Sequence, residues 1–222
     1  MTAPASLRGP ARALALAAAL ALGLGAGRAR AAAPLHVDLA IRGDRLQATL
    51  DLAPAFPPEV LRELGNGLSN VVAVYVVVAP EGGGAPVAGY LRTVDVLWDV
   101  WEESFGVTVR DPRNPRGQQL VVPTPAGLRA LLASARDLDL GPVAALPPGK
   151  LVLEVRVELN PVSKEQLQRT REFIASAGPR AAGGGSRSVL GAMASFLLRE
   201  PAADADVWML RSKAFTTTEV AR

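Results

Sequence analysis

The stretch VVAVYVVVA, Val71–Ala79, decides the fold. It is a continuous apolar run, rich in β-branched residues, with no polar position to serve a wet face. Such a run predicts a strand buried on both faces and therefore central in a sheet. Pro80 and the flexible Glu81-Gly82-Gly83-Gly84-Ala85-Pro86 end it. The chain then returns from about Val87, completing a hairpin with a longer loop.

Period-2 patterning continues on the returning strand. Val94, Val96, Trp98 and Val100 share one face, and Thr93, Asp95 and Asp99 the other. Trp98 is thus expected in the core, whereas Trp101, of opposite parity, faces a second layer or solvent. Beyond Glu102 the apolar set moves to Phe105, Val107 and Val109, which requires a bulge, bend or turn near Glu102–Ser104. DPRNPRG, Asp111–Gly117, is a proline-rich turn before Leu120–Val122.

Upstream, LHVDLAIRGDRLQATLDL (Leu35–Leu52) alternates on both sides of Gly43-Asp44 and reads as a β-hairpin. Turn chemistry accounts for its Arg-Gly-Asp triplet without an adhesion role. FPPEVLRELGNG (Phe56–Gly67) predicts a helix of about two turns, opened by prolines, with Val60, Leu61 and Leu64 on one face. Its glycines follow the helix, whereas a phosphate-binding loop would precede one.

Downstream, Thr124-Pro125 opens a helix whose stripe is Leu128, Leu131 and Leu132 and which is expected to end near Arg136. A stiff, proline-bearing loop is expected through Gly141–Gly149. In Lys150–Asn160, Leu151, Leu153, Val155, Val157 and Leu159 point inward, and Glu154, Arg156, Glu158 and Asn160 onto a face expected to be wet or lightly covered. Ser163 and Gln166 fit a capping box for a helix over Lys164–Ala175, followed by a flexible loop over Gly178–Arg187. A further amphipathic helix is expected over Ser188–Arg199, its serine and glycine face favouring packing on the sheet over docking on lipid. Asp206–Thr217 reads as the closing strand. The resulting fold class is α+β: a single domain with a twisted antiparallel β-sheet, sandwich- or half-barrel-like, of about six to eight strands and three or four short helices.

The N-terminus has Arg8 and Arg12, then an uncharged Ala/Leu/Gly run over Ala13–Ala26, then a small-residue tail, the layout of a cleavable secretory signal peptide over 1–31. The run is shorter than the roughly 20 residues that a membrane-spanning helix needs. Cleavage after Ala31 or Ala32 leaves 32–222 as the domain and implies export to the periplasm, with no stable membrane insertion afterwards. The full chain has 24 Lys and Arg against 21 Asp and Glu. Without Arg8, Arg12, Arg28 and Arg30 the balance is 20 against 21, a formal charge of −1. The basic pI of about 9.8 is largely the leader's, and composition offers no basic surface for nucleic acid.

Cysteine is absent, which excludes disulfides, thiolate metal sites and a cysteine nucleophile. The lone histidine, His36, lies near the expected mature N-terminus, a position that is commonly mobile, so imidazole-based triads and zinc sites are not expected. Asp137-Leu138-Asp139 lacks the other oxygen ligands of a calcium loop. Adjacent carboxylates on a strand point to opposite faces, so Glu102 and Glu103 flank one scissile bond only if the backbone is irregular there. No catalytic residue, metal or cofactor is assigned, and an enzyme is not expected.

The leader, the N-terminal hairpin, LRELGNGLSNVVAVYVVV (Leu61–Val78), VLWDVWEESFGV (Val96–Val107), TPAGLRALLA (Thr124–Ala133), GKLVLEVRVEL (Gly149–Leu159) and ADVWMLRSKAF (Ala205–Phe215) together resemble an uncharacterised proteobacterial family of exported proteins, known only as a domain of unknown function. The resemblance implies export and one β-rich domain, and no catalytic residues. The expected function is a non-catalytic periplasmic binding or accessory module contacting an envelope protein. The alternative is a carrier of an apolar small molecule or lipid. Candidate contact residues are Trp101, Glu102, Glu103, Arg113 and Arg116, because an exposed tryptophan is a common interface anchor.

Overall fold

In the computed structural model, residues 30–161 and 206–221 are described, the first four by backbone alone. Residues 1–29 of the leader expected over 1–31, the helices over 164–175 and 188–199, and the loop over 178–187 lie outside the described residues, and the leader's last two residues, Arg30 and Ala31, fall in the first strand. Among the described residues ten strands form two sheets. The larger is open and seven-stranded, in the order β1 (Arg30–Pro34), β10 (Asp206–Arg211), β9 (Leu151–Leu159), β4 (Asn70–Pro80), β5 (Ala88–Asp99), β6 (Ser104–Arg110) and β7 (Gln118–Val122). All its neighbours are antiparallel except β1, which runs parallel to β10. The smaller sheet has the order β2 (His36–Arg42), β3 (Arg45–Asp51) and β8 (Ser134–Pro142). Seven of these ten strands follow the sequence pattern, and β1, β7 and β8 are the additions.

β4 sits at the centre of the larger sheet, as its unbroken apolar run requires. Val72, Val74, Val76 and Val78 face the smaller sheet, while Ala73, Tyr75 and Val77 are buried on the opposite face. Leu46, Ala48 and Leu50 of β3, Leu138 and Leu140 of β8, and Leu153, Val155 and Val157 of β9 complete the inter-sheet core. Each fully buried aliphatic side chain contributes about 1.5–3 kcal/mol relative to exposure. The β2–β3 turn has Gly43 at φ +64°, in the first central position of a two-residue hairpin, where a positive φ favours glycine. His36 is held in β2 opposite Asp51, so its position near the expected terminus does not leave it loose.

The stretch after the Thr124 helix departs from expectation. Helix α2, following a first helix α1 (Pro58–Leu64), spans Pro125–Ala133, with the Thr124 hydroxyl accepting from the Gly127 N–H at 3.1 Å. The chain passes directly into β8, where a helix end near Arg136 and then a stiff loop were expected. Two register irregularities, with Asp137 at φ +51° and Gly141 at φ +107°, break the alternation of β8 and obscure it in the sequence.

β9 also corrects a reading. It lies between β4 and β10, and Arg156 and Glu158 on its charged face are only 4% and 8% exposed. The two sit two residues apart on one face, and Arg156 Nε donates to Glu158 Oε1 at 2.6 Å. Alternation along the strand marks which side chains are charged, but mutual neutralisation allows this pair to be buried. β10 ends at Arg211, earlier than the expected Thr217. Beyond it, the Ser212 hydroxyl accepts from Leu153 N–H at 2.9 Å, Phe215 bridges Leu151 through the backbone, and Thr217–Val220 form one helical turn. Among the described residues no helix is long and apolar enough to cross a membrane.

Candidate functional site

β5 and β6 are joined by the four residues Val100-Trp101-Glu102-Glu103, because Asp99 pairs with Ser104. The Asp99 carboxylate caps the turn, accepting from the Trp101 N–H at 2.9 Å and the Glu102 N–H at 3.1 Å. Glu103 takes φ +46°, the left-handed residue that lets the chain re-enter the ladder. The parity shift in the sequence is therefore a hairpin turn. Just inside it, Trp98 and Phe105 pack across the strands on the core side, ring centroids 4.6 Å apart and planes tilted by 57°. Trp101 stands 93% exposed, which places it toward solvent and not toward a second layer. Glu102 and Glu103 are both exposed on the turn.

The other two candidates, Arg113 and Arg116, sit on the Asp111–Gly117 turn at the far end of β6. The seven residues of β6 separate them from the tip by about 20 Å at the usual strand rise. The candidate set is thus two separate clusters, an acidic tip with a tryptophan and a basic turn. In the turn, Asp111 Oδ1 accepts from the Arg113 and Asn114 N–H groups at 2.9 and 2.8 Å. The Arg113 guanidinium donates to the Asp137 carbonyl oxygen, tying the turn to the bulge of β8. Asp137 also pairs with Arg42 at 3.5 Å.

Beneath the turn lies a buried polar group absent from the candidate list. Tyr90 and Arg92 share the core-facing parity of Val94 and Val96, a signal present in the sequence. Burial raises the Tyr90 phenol well above its ordinary value, and the charge of Asp111 and the hydrogen bond to it add to this against the opposing Arg113 and Arg92. Burial likewise lowers Arg92, with Tyr90 and Asp111 offsetting it. The arrangement keeps the phenol protonated as a donor to Asp111 and suits a structural bracket.

Away from this turn, Glu63 of α1 is raised by burial and then by the charge of Asp206, while a hydrogen bond from Asn160 lowers it. Asn160, at φ +49°, also donates from Nδ2 to Asn70 Oδ1 at 2.9 Å and accepts from the Val71 N–H at 2.9 Å. Among the described residues no group of three His, Cys, Asp or Glu side chains is placed to hold a metal ion.

On the face of the larger sheet away from the core, Leu97, Gly106 and Val121 form one cross-strand row over β5, β6 and β7. Leu97 is 48% and Val121 76% exposed, with no side chain between them. This apolar row was not anticipated from the pattern. Comparison with family models, with curated proteins and with solved structures finds no match for this chain.

Proposed function

We propose that this chain is a non-catalytic binding module exported to the periplasm, which contacts an envelope protein through the β5–β6 hairpin tip. The observation that carries the reading is Trp101, 93% exposed on a turn whose backbone is pinned by Asp99. An exposed tryptophan on a pre-organised turn loses little conformational freedom on binding and brings a large apolar area, the properties of an interface anchor. Core packing favours this over a carrier of an apolar small molecule, because aliphatic side chains from both sheets occupy the interior between them. The exposed tip carboxylates argue against a hydrolase built on Glu102 or Glu103. Export rests on the leader-like composition of residues 1–31 and on the family resemblance.

The test is site-specific photocrosslinking in cells that export the protein, with the photoreactive residue at position 101 and a control at Glu59 of α1. A discrete adduct with an envelope protein from position 101 alone, whose affinity falls at least about 30-fold in Trp101→Ala, is the expected result. Equal adducts from both positions, or none from 101, would remove the tip as the contact. Native mass spectrometry that released a stoichiometric lipid would instead support the carrier.

A further inference from the structure

We infer that β7 is a self-pairing edge, through which two copies of this chain join antiparallel to continue the larger sheet across a two-fold axis. This goes beyond the reading of the hairpin tip, because it concerns a different surface and a second copy of the chain. Edge strands expose unpaired backbone donors and acceptors, and folded proteins blunt them with charges, proline, bulges or covering elements. β1 ends in Pro34, β2 carries Asp38 and Arg42, and β8 is broken by two register irregularities. β7, Gln118-Gln119-Leu120-Val121-Val122, has neither charge nor proline and a regular register on β6. It is the unblunted edge among the described strands, and Val121 and Leu97 add exposed apolar surface beside it.

The charges at its two ends select the occupant. The C-terminal end of β7 lies beside the start of β6, where Glu102 and Glu103 stand, because Val122 pairs with Phe105. Its N-terminal end follows Arg116. None of Glu102, Glu103 and Arg116 has an ion-pair partner among the described residues. Antiparallel pairing of two β7 strands brings the basic end of each to the acidic end of the other. With the two-fold at Leu120, Gly117 falls opposite the partner's Pro123 and Arg116 opposite the partner's Thr124. The partner's Glu103 is then about two strand spacings away, roughly 10 Å between Cα atoms, within the combined reach of the two side chains. A parallel arrangement would set like charges side by side. Self-complementarity about a two-fold is what an isologous interface requires.

The experiment is sedimentation velocity of the purified, processed protein over a concentration series at low and physiological salt. The expected result is a monomer–dimer equilibrium that weakens with salt. Val121→Lys, Arg116→Glu and the double variant Glu102→Arg/Glu103→Arg should each weaken the dimer at least about tenfold. All four positions are exposed, and matched thermal unfolding checks that each variant folds. An equal mixture of the Arg116→Glu chain and the Glu102→Arg/Glu103→Arg chain should dimerise again, because each tip then meets a turn of opposite sign. A monomer at every concentration, a dimer indifferent to Val121→Lys, or a mixture that stays monomeric would each overturn the pairing. Loss of the dimer with the position-101 adduct retained would remove this inference and leave the proposed function standing. The converse would do the reverse.

Discussion

Arg92, on the core-facing side of β5, donates from Nη1 to the carbonyl oxygen of Ser134 at 3.0 Å, where α2 gives way to β8. Its Nη2 donates to the Leu131 carbonyl oxygen at 3.2 Å. The cation thus sits at the C-terminal end of a helix and satisfies one carbonyl of its last turn, that of Leu131, together with the first carbonyl of β8. Leu52 takes the Ala133 carbonyl in the same way, at 2.7 Å. Arg92→Met should therefore cost about 3 kcal/mol, from two lost charge-assisted bonds and two orphaned acceptors. Arg92→Lys, with a single-point ammonium, should recover about half. Urea denaturation of the three proteins checks the order.

Gly117 takes φ +92° at the close of the basic turn, and a Cβ built there would lie 2.7 Å from Thr108 Cγ2. Gly117→Ala combines left-handed strain with a steric clash and should destabilise by about 2–4 kcal/mol. Thr108→Ser removes the clashing methyl but not the strain. The double variant should then regain about half of the loss. A double variant no better than Gly117→Ala would assign the whole effect to the backbone.

The strongest patterns in the sequence carried the topology. Val71–Ala79 placed β4, and alternation placed β2, β3, β5, β6 and β9, because period-2 burial is written directly into side-chain type. β8 escaped because it begins one residue after a helix with no punctuating glycine or proline, and because Asp137 and Leu140 shift its phase. The burial of Arg156 and Glu158 was illegible for another reason: exposure depends on what covers a face, and a strand's own residues do not encode its cover. For the site, parity gave Trp101 its two alternatives, and only the turn geometry chose solvent. The separation of Glu102 and Glu103 from Arg113 and Arg116 follows from β6 lying between them. Arg92 could have been found, since it stands in phase with Tyr90 and Val94.

The Arg156–Glu158 pair lies on the face of β9 away from the inter-sheet core, beside Tyr75 of β4. Removing one partner leaves a buried charge, so Arg156→Met should cost about 3–5 kcal/mol. Replacing both, as Arg156→Met/Glu158→Leu, removes the desolvation penalty together with the attraction and should recover most of that loss. A double variant as unstable as the single would show that Arg156 acts chiefly through its other contacts. Chemical denaturation at constant salt gives the comparison.

Glu63 supplies a pH dependence with a definite sign. Burial and then Asp206 raise its carboxyl above its ordinary value of 4.5. The folded protein therefore holds a proton here that the unfolded chain has released, and stability falls as pH rises through that interval. Below about 4.5 both states are protonated, and the contribution of this group is fully present. Above the raised folded value both are ionised, and the folded state bears a carboxylate that is partly desolvated and faces another. Glu63→Gln keeps a hydrogen-bonding partner for Asn160 and carries no charge at any pH. The variant should match the parent near about pH 4 and exceed it in stability near about pH 7, the gap opening across the carboxyl's own titration. Asp206→Asn should open a smaller gap, since it removes the second cause and leaves the first. Urea midpoints of the three proteins across that range decide the matter, and a parent more stable than Glu63→Gln at neutral pH would reverse the sign.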